Sequence, residues 1–114
     1  MLKVLKNYYQ ISKMIHTSAQ PTVDQFSIIK NSNIETIINL AKTDSPNAIE
    51  NEAEIASENS MDYIHIPVDW DNPKETDFNS FVLAMKKHKG KKIWSYHART
   101  FVAANLFFFV YNMI

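Results

Sequence analysis

Apolar and polar positions along the chain switch between two periods, which predicts strands that each lead into a helix. Runs of β-branched residues are typical of buried strands, and apolar residues three or four apart are typical of amphipathic helices. The predicted strands are Ile11 to Ala19, Ile34 to Leu40, Asp62 to Val68 and Lys91 to Tyr96. The predicted helices are one capped by Thr22, one over Ile49 to Glu58, one capped by Thr76 or Asp77, and one that begins after Thr100.

The alternation of strands and helices predicts the fold class. Strands that alternate with helices are joined by right-handed crossovers and form a mostly parallel sheet that helices cover on both faces. We therefore expect a single α/β domain over residues 1–114, with a central sheet of about four to five strands. Ile34–Leu40, Tyr63–Val68 and Lys91–Tyr96 are expected to be neighbouring strands.

Two helix ends carry recognisable signals. Thr22 is followed three residues later by Gln25, the spacing of a capping box. The third helix closes on Lys86, Lys87, His88 and Lys89, which complement the helix dipole, and Gly90 is expected to stop it. Its inward stripe is predicted to be Phe78, Phe81, Val82 and Met85. In the preceding helix the predicted inward residues are Ala53, Ile55 and Ala56.

Composition excludes several classes of function. Twelve Lys and Arg balance twelve Asp and Glu, so the net charge is zero and no nucleic-acid footprint is expected. There is no cysteine, which excludes disulfides, thiolate metal sites and thiol nucleophiles. The single glycine excludes a Walker A loop and a GxGxxG dinucleotide motif. Four scattered histidines lack metal-ligand spacing, so neither a metal nor a cofactor is expected.

The two ends of the chain bear on localisation and partners. The first ten residues lack the apolar core of a signal peptide, which favours the cytoplasm. Phe101 to Ile114 is an uncharged run of fourteen residues, too short for a membrane span of about 20. It is predicted to be a buried helix that leaves some surface, around Phe107 to Phe109, for a second copy or a partner protein.

Candidate chemistry is expected at the carboxyl ends of the strands, where ligands bind in such sheets. The loops that meet there are Ala41 to Asn47, Asp69 to Pro73 and Tyr96 to Thr100. The last loop runs into a helix N-terminus, whose amides and dipole attract anions. His97 and Arg99 could contact a phosphate there. Asp69 and Asp71 could supply a general acid, or Asp71-Asn72-Pro73 could simply be turn chemistry.

Several motifs in order resemble a known family. They are Ile11-Ser12, Thr17 to Thr22, Gln25-Phe26, Ile38-Asn39-Leu40, Asp44 to Asn47, Asn51-Glu52-Ala53, and Tyr63 to Pro73. Together they resemble small bacterial proteins of the protein tyrosine phosphatase-like family, relatives of the phosphatase-like domain of beta-lactamase-hydrolase-like proteins. The resemblance covers roughly residues 9 to 110. It implies a cysteine-dependent phosphatase fold, with more helix expected after the last residue of this chain.

The resemblance also implies a signature, His-Cys, five residues, then Arg, at the turn from strand to helix. Counting forward from Gly90 puts the family's Cys at His97 and its His at Tyr96. Counting back from Val102 to Ala104 puts the Cys at Tyr96 and the Arg at Phe101. Neither register has a Cys or the phosphate-gripping Arg, and Arg99 lies out of register. The degenerate phosphate loop is predicted to be Tyr96, His97, Ala98, Arg99, Thr100 and Phe101.

Three functions from different classes remain open. The first is a degenerate phosphatase that still binds phosphate or a phosphorylated ligand. The second is a phosphatase that acts without cysteine, through His97 with Asp69 or Asp71. The third is a non-catalytic interaction module that uses its apolar C-terminal helix. Hydrolysis of an aryl phosphate separates the first two, and the mass in solution tests the third.

Overall fold

A computed structural model describes residues 4–69, 71–72 and 74–97, and strands alternate with helices over this part of the chain. The strands are β1 (Tyr9–Gln10), β2 (Ile15–Ala19), β3 (Thr36–Asn39), β4 (Asp62–His65) and β5 (Ile93–His97). The helices are α1 (Gln25–Asn31), α2 (Glu52–Glu58) and α3 (Glu75–Lys87). None of these helices has the length and apolar character that a bilayer crossing requires. The helix predicted after Thr100 lies outside the described residues.

The strands form one sheet in the order β1-β2-β5-β3-β4. All neighbouring pairs are parallel except β1 and β2, which are antiparallel. The predicted α/β class, the mostly parallel sheet and the adjacency of β5, β3 and β4 are therefore confirmed. Parallel neighbours need a crossover, and α1, α2 and α3 supply the chain that makes those connections.

Successive side chains of each strand point to opposite faces of the sheet, and helices cover both faces. Ile37 and Trp94 face α1 and α2, whereas Ile38 and Ile93 face α3. The core on the first face is Phe26, Ile29, Ile34, Ile37, Ile55, Ala56, Trp94 and Tyr96. The core on the second face is Ile15, Ile38, Leu40, Ile66, Val68, Phe81, Met85 and Ile93. Phe78, predicted to face inward, is 39% exposed.

The first predicted strand, Ile11 to Ala19, is in fact the end of a hairpin. The chain turns back between β1 and β2, where the Ser12 hydroxyl accepts a hydrogen bond from the Met14 N–H. Ile15 N–H donates to the Ser12 carbonyl and closes the turn. The strand therefore begins at Ile15, because Ser12 and its neighbours satisfy their polar groups within the turn.

Two helices begin later than predicted, and one begins earlier. α1 begins at Gln25, and only half of the predicted capping box forms, with the Gln25 side chain accepting the Thr22 N–H at 3.0 Å. α2 begins at Glu52 with Asn51 as its cap, and two turns precede it, closed by the Ser45 N–H donating to the Lys42 carbonyl and by the Ala48 N–H donating to the Ser45 carbonyl.

α3 begins at Glu75, before the predicted caps Thr76 and Asp77, and the Asp77 carboxylate instead accepts the Lys74 N–H at 3.3 Å. The helix ends at Lys87 with His88 as its cap, so Gly90, with a φ of 90°, lies in the turn that follows and not at the predicted stop position.

Acid should destabilise the fold through two buried histidines. His16 is 4% exposed, its Nδ1 lies 2.6 Å from the Tyr8 hydroxyl, and Nε2 has no hydrogen-bond partner within the described residues. Burial, and then the charge of Lys92, lower the pKa of His16, while a backbone hydrogen bond at Lys13 opposes them. Burial first, and then Lys91, lower the pKa of His88.

The sign of the effect follows from proton uptake. Below the ordinary histidine pKa of about 6.5, the unfolded chain binds more protons than the folded chain. The free energy of unfolding should therefore fall as pH drops through that value, by at most about 1.4 kcal/mol per pH unit for each histidine. Urea titrations at several pH values test this, and His16→Phe should flatten the acid slope. A slope that His16→Phe and His88→Asn both leave unchanged would contradict the assignment.

Candidate functional site

The carboxyl ends of four parallel strands meet at one edge of the sheet. Register pairs bring Ala19 beside His97, Asn39 beside Tyr96, and Asn39 beside His65. The Leu40 N–H donates to the Tyr96 carbonyl at 2.8 Å, which holds the loop after β3 against the end of β5. This is the edge at which the sequence predicts ligand chemistry.

The predicted general acids lie in a turn that follows the fourth strand. Val68 N–H donates to the Leu40 carbonyl, which extends the pairing of β4 with β3 and brings Asp69 to the same edge. The Asp69 carboxylate accepts the Asp71 N–H at 3.1 Å, and its carbonyl accepts the Asn72 N–H at 3.0 Å. Both aspartates are exposed. Both aspartates thus lie near the edge, and the Asp69 carboxylate stabilises the turn that contains them. A role for either one in proton donation stays a prediction.

The predicted phosphate loop is described only at its beginning. Tyr96 is fully buried and packs against Trp94, with 4.9 Å between the ring centroids. The backbone of His97 continues β5 beside Ala19. The remaining predicted loop residues, Ala98, Arg99, Thr100 and Phe101, lie outside the described residues. The roles predicted for this loop therefore stay predictions.

A buried carboxylate connects the elements that meet at this edge. Glu52, the first residue of α2, is only 4% exposed. Its Oε1 accepts a hydrogen bond from Gln20 Nε2 at 2.6 Å. Its Oε2 accepts two, from Asn39 Nδ2 at 2.6 Å and from the Tyr63 hydroxyl at 2.7 Å. One side chain thus ties the ends of β2 and β3, and β4, to the start of α2. We call Glu52, Gln20, Asn39 and Tyr63 the Glu52 cluster.

Neighbouring backbone groups fix the orientation of the donors. The Ala41 N–H donates to Asn39 Oδ1 at 2.8 Å, so the amide nitrogen of Asn39 must face Glu52. The Gln20 amide nitrogen also donates to the Pro21 carbonyl, which sets its orientation in the same way. No Lys or Arg of the described residues forms an ion pair with Glu52. Hydrogen bonds therefore compensate the burial of this carboxyl group.

The tyrosines around Glu52 hold their protons. Burial raises the pKa of Tyr63, and the negative charge of Glu52 adds to the rise. Burial also raises the pKa of Tyr96 well above its usual range, followed by the influence of Glu52 and Tyr63. The Tyr96 hydroxyl makes no well-aligned hydrogen bond with a described residue, although the Glu52 cluster lies beside it. Tyr96 is thus linked electrostatically to the Glu52 cluster.

A cleft of about 380 Å³ opens beside the Glu52 cluster, between the loop after β3, the start of α2 and β4. Its lining residues are Asn39, Lys42, Thr43, Ala48, Ile49, Glu50, Glu52, Ala53, Tyr63 and His65. His65 Nε2 donates a hydrogen bond to the Ala41 carbonyl at 2.6 Å. The described residues contain no group of three or more His, Asp or Glu that could hold a metal ion.

Sequence reasoning missed the Glu52 cluster. It placed Ala53 on the inner side of α2, but Ala53 is exposed and Glu52 is buried with Ile55 and Ala56. Glu52 precedes Ile55 and Ala56 by three and four residues, so helical spacing puts all three on one face. A polar residue, Asn39, directly after Ile37 and Ile38 in β3 was the second available signal.

Comparison with known proteins places this fold among phosphatases. No protein-family model and no curated protein matches the chain. Among solved structures, a protein of Shewanella putrefaciens CN-32 described as a "Putative phosphatase (DUF442)" is 33% identical to it. The match covers 96% of this chain and 71% of the Shewanella protein, with a TM-score of 0.87.

Two more distant structures share the fold alone. Kinase associated phosphatase, solved with its catalytic site cysteine replaced by serine, is 14% identical over 95% of this chain and 75% of its own, with a TM-score of 0.73. Pseudomonas aeruginosa TpbA, solved in complex with phosphotyrosine, is 12% identical over 80% of this chain and 52% of its own, with a TM-score of 0.63. The parallel sheet, its flanking helices and the extent of the first match agree: the chain belongs to the DUF442 family and has the fold of the protein tyrosine phosphatase-like proteins.

Proposed function

We propose that this protein binds phosphate or phosphate monoesters and hydrolyses them poorly or not at all. The observation that carries the proposal is the absence of cysteine from all 114 residues of a phosphatase-like chain. The family resemblance puts the nucleophile at Tyr96 or His97, and both stand at the end of β5, at the edge where ligands bind in parallel sheets.

The chemistry explains why Tyr96 does not replace the thiolate. A low-pKa thiol is a strong nucleophile near neutral pH. Tyr96 is fully buried, and burial keeps its hydroxyl protonated. The resemblance also implies a bidentate Arg that neutralises the transferring phosphoryl group, and neither register supplies one. Both the attacking group and the charge stabilisation are therefore expected to be missing.

Anion binding depends on fewer groups than hydrolysis does. Backbone N–H groups at the start of a helix remain donors whatever the side chains are. A helix N-terminus also carries about half a positive charge. The helix predicted after Thr100 would offer such donors, and Arg99 would add a full charge if it faced them. Weak binding is expected because the loop has no glycine to curl its amides tightly around an oxyanion.

Two other functions compete with this one. Hydrolysis through His97, with Asp69 or Asp71 as the acid, is favoured by the nearness of Asp69 to the edge. A cytoplasmic interaction module, which pairs with a second copy or a partner protein, is favoured by the uncharged run Phe101 to Ile114. We rank phosphate binding first because it uses the edge of the sheet that the family fold provides.

Titration with inorganic phosphate, followed by amide chemical shifts, tests the proposal. We expect the amides of Ala98 to Val102 to move with millimolar affinity, equivalent to about −4 kcal/mol. Amides near Gly90, at the opposite end of β5, should not move, and sodium chloride at the same ionic strength serves as the control. If phosphate at tens of millimolar moves none of the edge amides, the site does not bind anions and the interaction module becomes the better account.

A further inference from the structure

The cleft beside the Glu52 cluster combines apolar surface with hydrogen-bonding groups. Ala48, Ile49 and Ala53 are apolar, and the other seven lining residues carry polar or charged groups as well as carbon atoms. Its one lining tyrosine, Tyr63, engages its hydroxyl with Glu52 and Asn39. A group that enters this cleft therefore meets apolar surface and hydrogen-bonding side chains together.

His65, a lining residue of the cleft, has one ring nitrogen that can accept a hydrogen bond. A backbone carbonyl can only accept a hydrogen bond, so the contact between His65 Nε2 and the Ala41 carbonyl places the proton on Nε2. In the neutral ring the lone pair then lies on Nδ1. No described residue donates to that atom, and it is not among the buried polar atoms that lack a partner. Nδ1 is thus accessible and able to accept a hydrogen bond.

The remaining polar groups of the cleft complement that acceptor. Lys42, whose side chain is 46% exposed, forms only a long, solvent-exposed ion pair with Asp44 at 3.8 Å, so it can also donate to a ligand, as can the Thr43 hydroxyl. Glu50 is exposed at the rim and can accept. Donors and acceptors of this kind together suit hydroxyl groups, which both donate and accept. A hydroxyl-rich molecule would satisfy them, whereas a plain hydrocarbon ring would leave them without partners.

The position of the cleft connects it to the phosphate-binding edge. Asn39, a lining residue, is in register with both His65 and Tyr96, so the cleft opens beside the end of β5. We propose that the cleft holds the organic part of a hydroxyl-rich phosphate monoester, such as a sugar phosphate, whose phosphoryl group lies at the end of β5. This inference rests on the proposed function and specifies the class of ligand.

One ester rich in hydroxyl groups and one ester without them test the inference. Glucose 6-phosphate and cyclohexyl phosphate both carry a six-membered ring, and inorganic phosphate reports the phosphoryl site alone. Titrations followed by chemical shifts should give glucose 6-phosphate about tenfold tighter binding than cyclohexyl phosphate, since a site built for hydroxyls discriminates against an analogue without them. The intact chain is used throughout.

Three variants test whether the cleft residues cause the preference for glucose 6-phosphate over cyclohexyl phosphate. His65→Leu and Lys42→Met should each weaken glucose 6-phosphate severalfold and leave cyclohexyl phosphate and inorganic phosphate unchanged. Lys89→Met removes the same charge from an exposed position at the opposite end of the sheet and should change none of the three. Lys42 is exposed on a loop, so Lys42→Met keeps the test valid if His65→Leu fails to fold.

The outcomes separate this inference from the function on which it rests. Equal affinities for the two esters, or a preference that Lys42→Met and a folded His65→Leu leave intact, would overturn the assignment of the cleft while phosphate binding stands. If inorganic phosphate and both esters fail to bind, the proposed function is wrong and the inference is wrong with it.

Discussion

Turnover of p-nitrophenyl phosphate by this protein should be at least about a thousandfold slower than that of a cysteine-bearing phosphatase of the same fold. That factor is of the size lost when an arginine no longer stabilises the charge of a transferring phosphoryl group. Loss of the thiolate adds a further deficit, because the oxygen and nitrogen groups at Tyr96 and His97 would have to attack phosphorus instead.

Initial rates measured at high enzyme concentration test this expectation. His97→Cys is an informative companion, because it restores a thiol in one of the two registers without restoring the arginine. We expect it to remain nearly inactive. Robust wild-type turnover that His97→Ala abolishes and Asp69→Asn lowers would contradict the account and establish hydrolysis without cysteine.

Replacing Glu52 with alanine is the substitution with the largest expected effect on stability. The change leaves the Gln20, Asn39 and Tyr63 donors without their acceptor in a buried setting, since Glu52 is only 4% exposed. Because each buried donor without a partner costs about 1–3 kcal/mol, and some of these donors can turn toward water, we expect a loss of about 3–5 kcal/mol. Urea denaturation measures it directly.

Two further variants make that measurement specific. Glu54→Ala removes an exposed carboxylate from the same helix and should change the free energy of unfolding by less than about 0.5 kcal/mol. Glu52→Gln keeps one acceptor oxygen but turns an amide nitrogen toward a donor, so its loss should lie between those of the two alanine variants. Equal effects of Glu52→Ala and Glu54→Ala would show that the Glu52 cluster does not hold the edge together.

The fold could be predicted from sequence because its signals are local and repeated. β-branched runs such as Ile37-Ile38 can be buried on both sides only inside a covered sheet, and Gly90 marks the turn that follows a helix by its backbone freedom. The hairpin of β1 and β2 was missed because β1 is two exposed residues long and its pairing depends on a turn held by the Ser12 hydroxyl. Such short strands leave almost no pattern.

The candidate site was predicted only as far as the family resemblance and the sheet topology reach. The carboxyl edge, Asp69 and the end of β5 follow from those two sources. The Glu52 cluster does not follow from them, because a sequence does not distinguish a buried glutamate from an exposed one. Its burial depends on Gln20, Asn39 and Tyr63, which are distant along the chain and adjacent only in the folded sheet.

One phosphorus NMR experiment measures both the binding of a phosphate monoester and its hydrolysis. Phenyl phosphate is mixed with the protein, and its resonance is followed for many hours. We predict that the phenyl phosphate signal broadens or shifts as protein is added and returns when excess inorganic phosphate competes, with no increase in inorganic phosphate before that addition. Growth of the inorganic phosphate signal at a rate proportional to protein concentration, lost in His97→Ala, would contradict the proposed binding without hydrolysis.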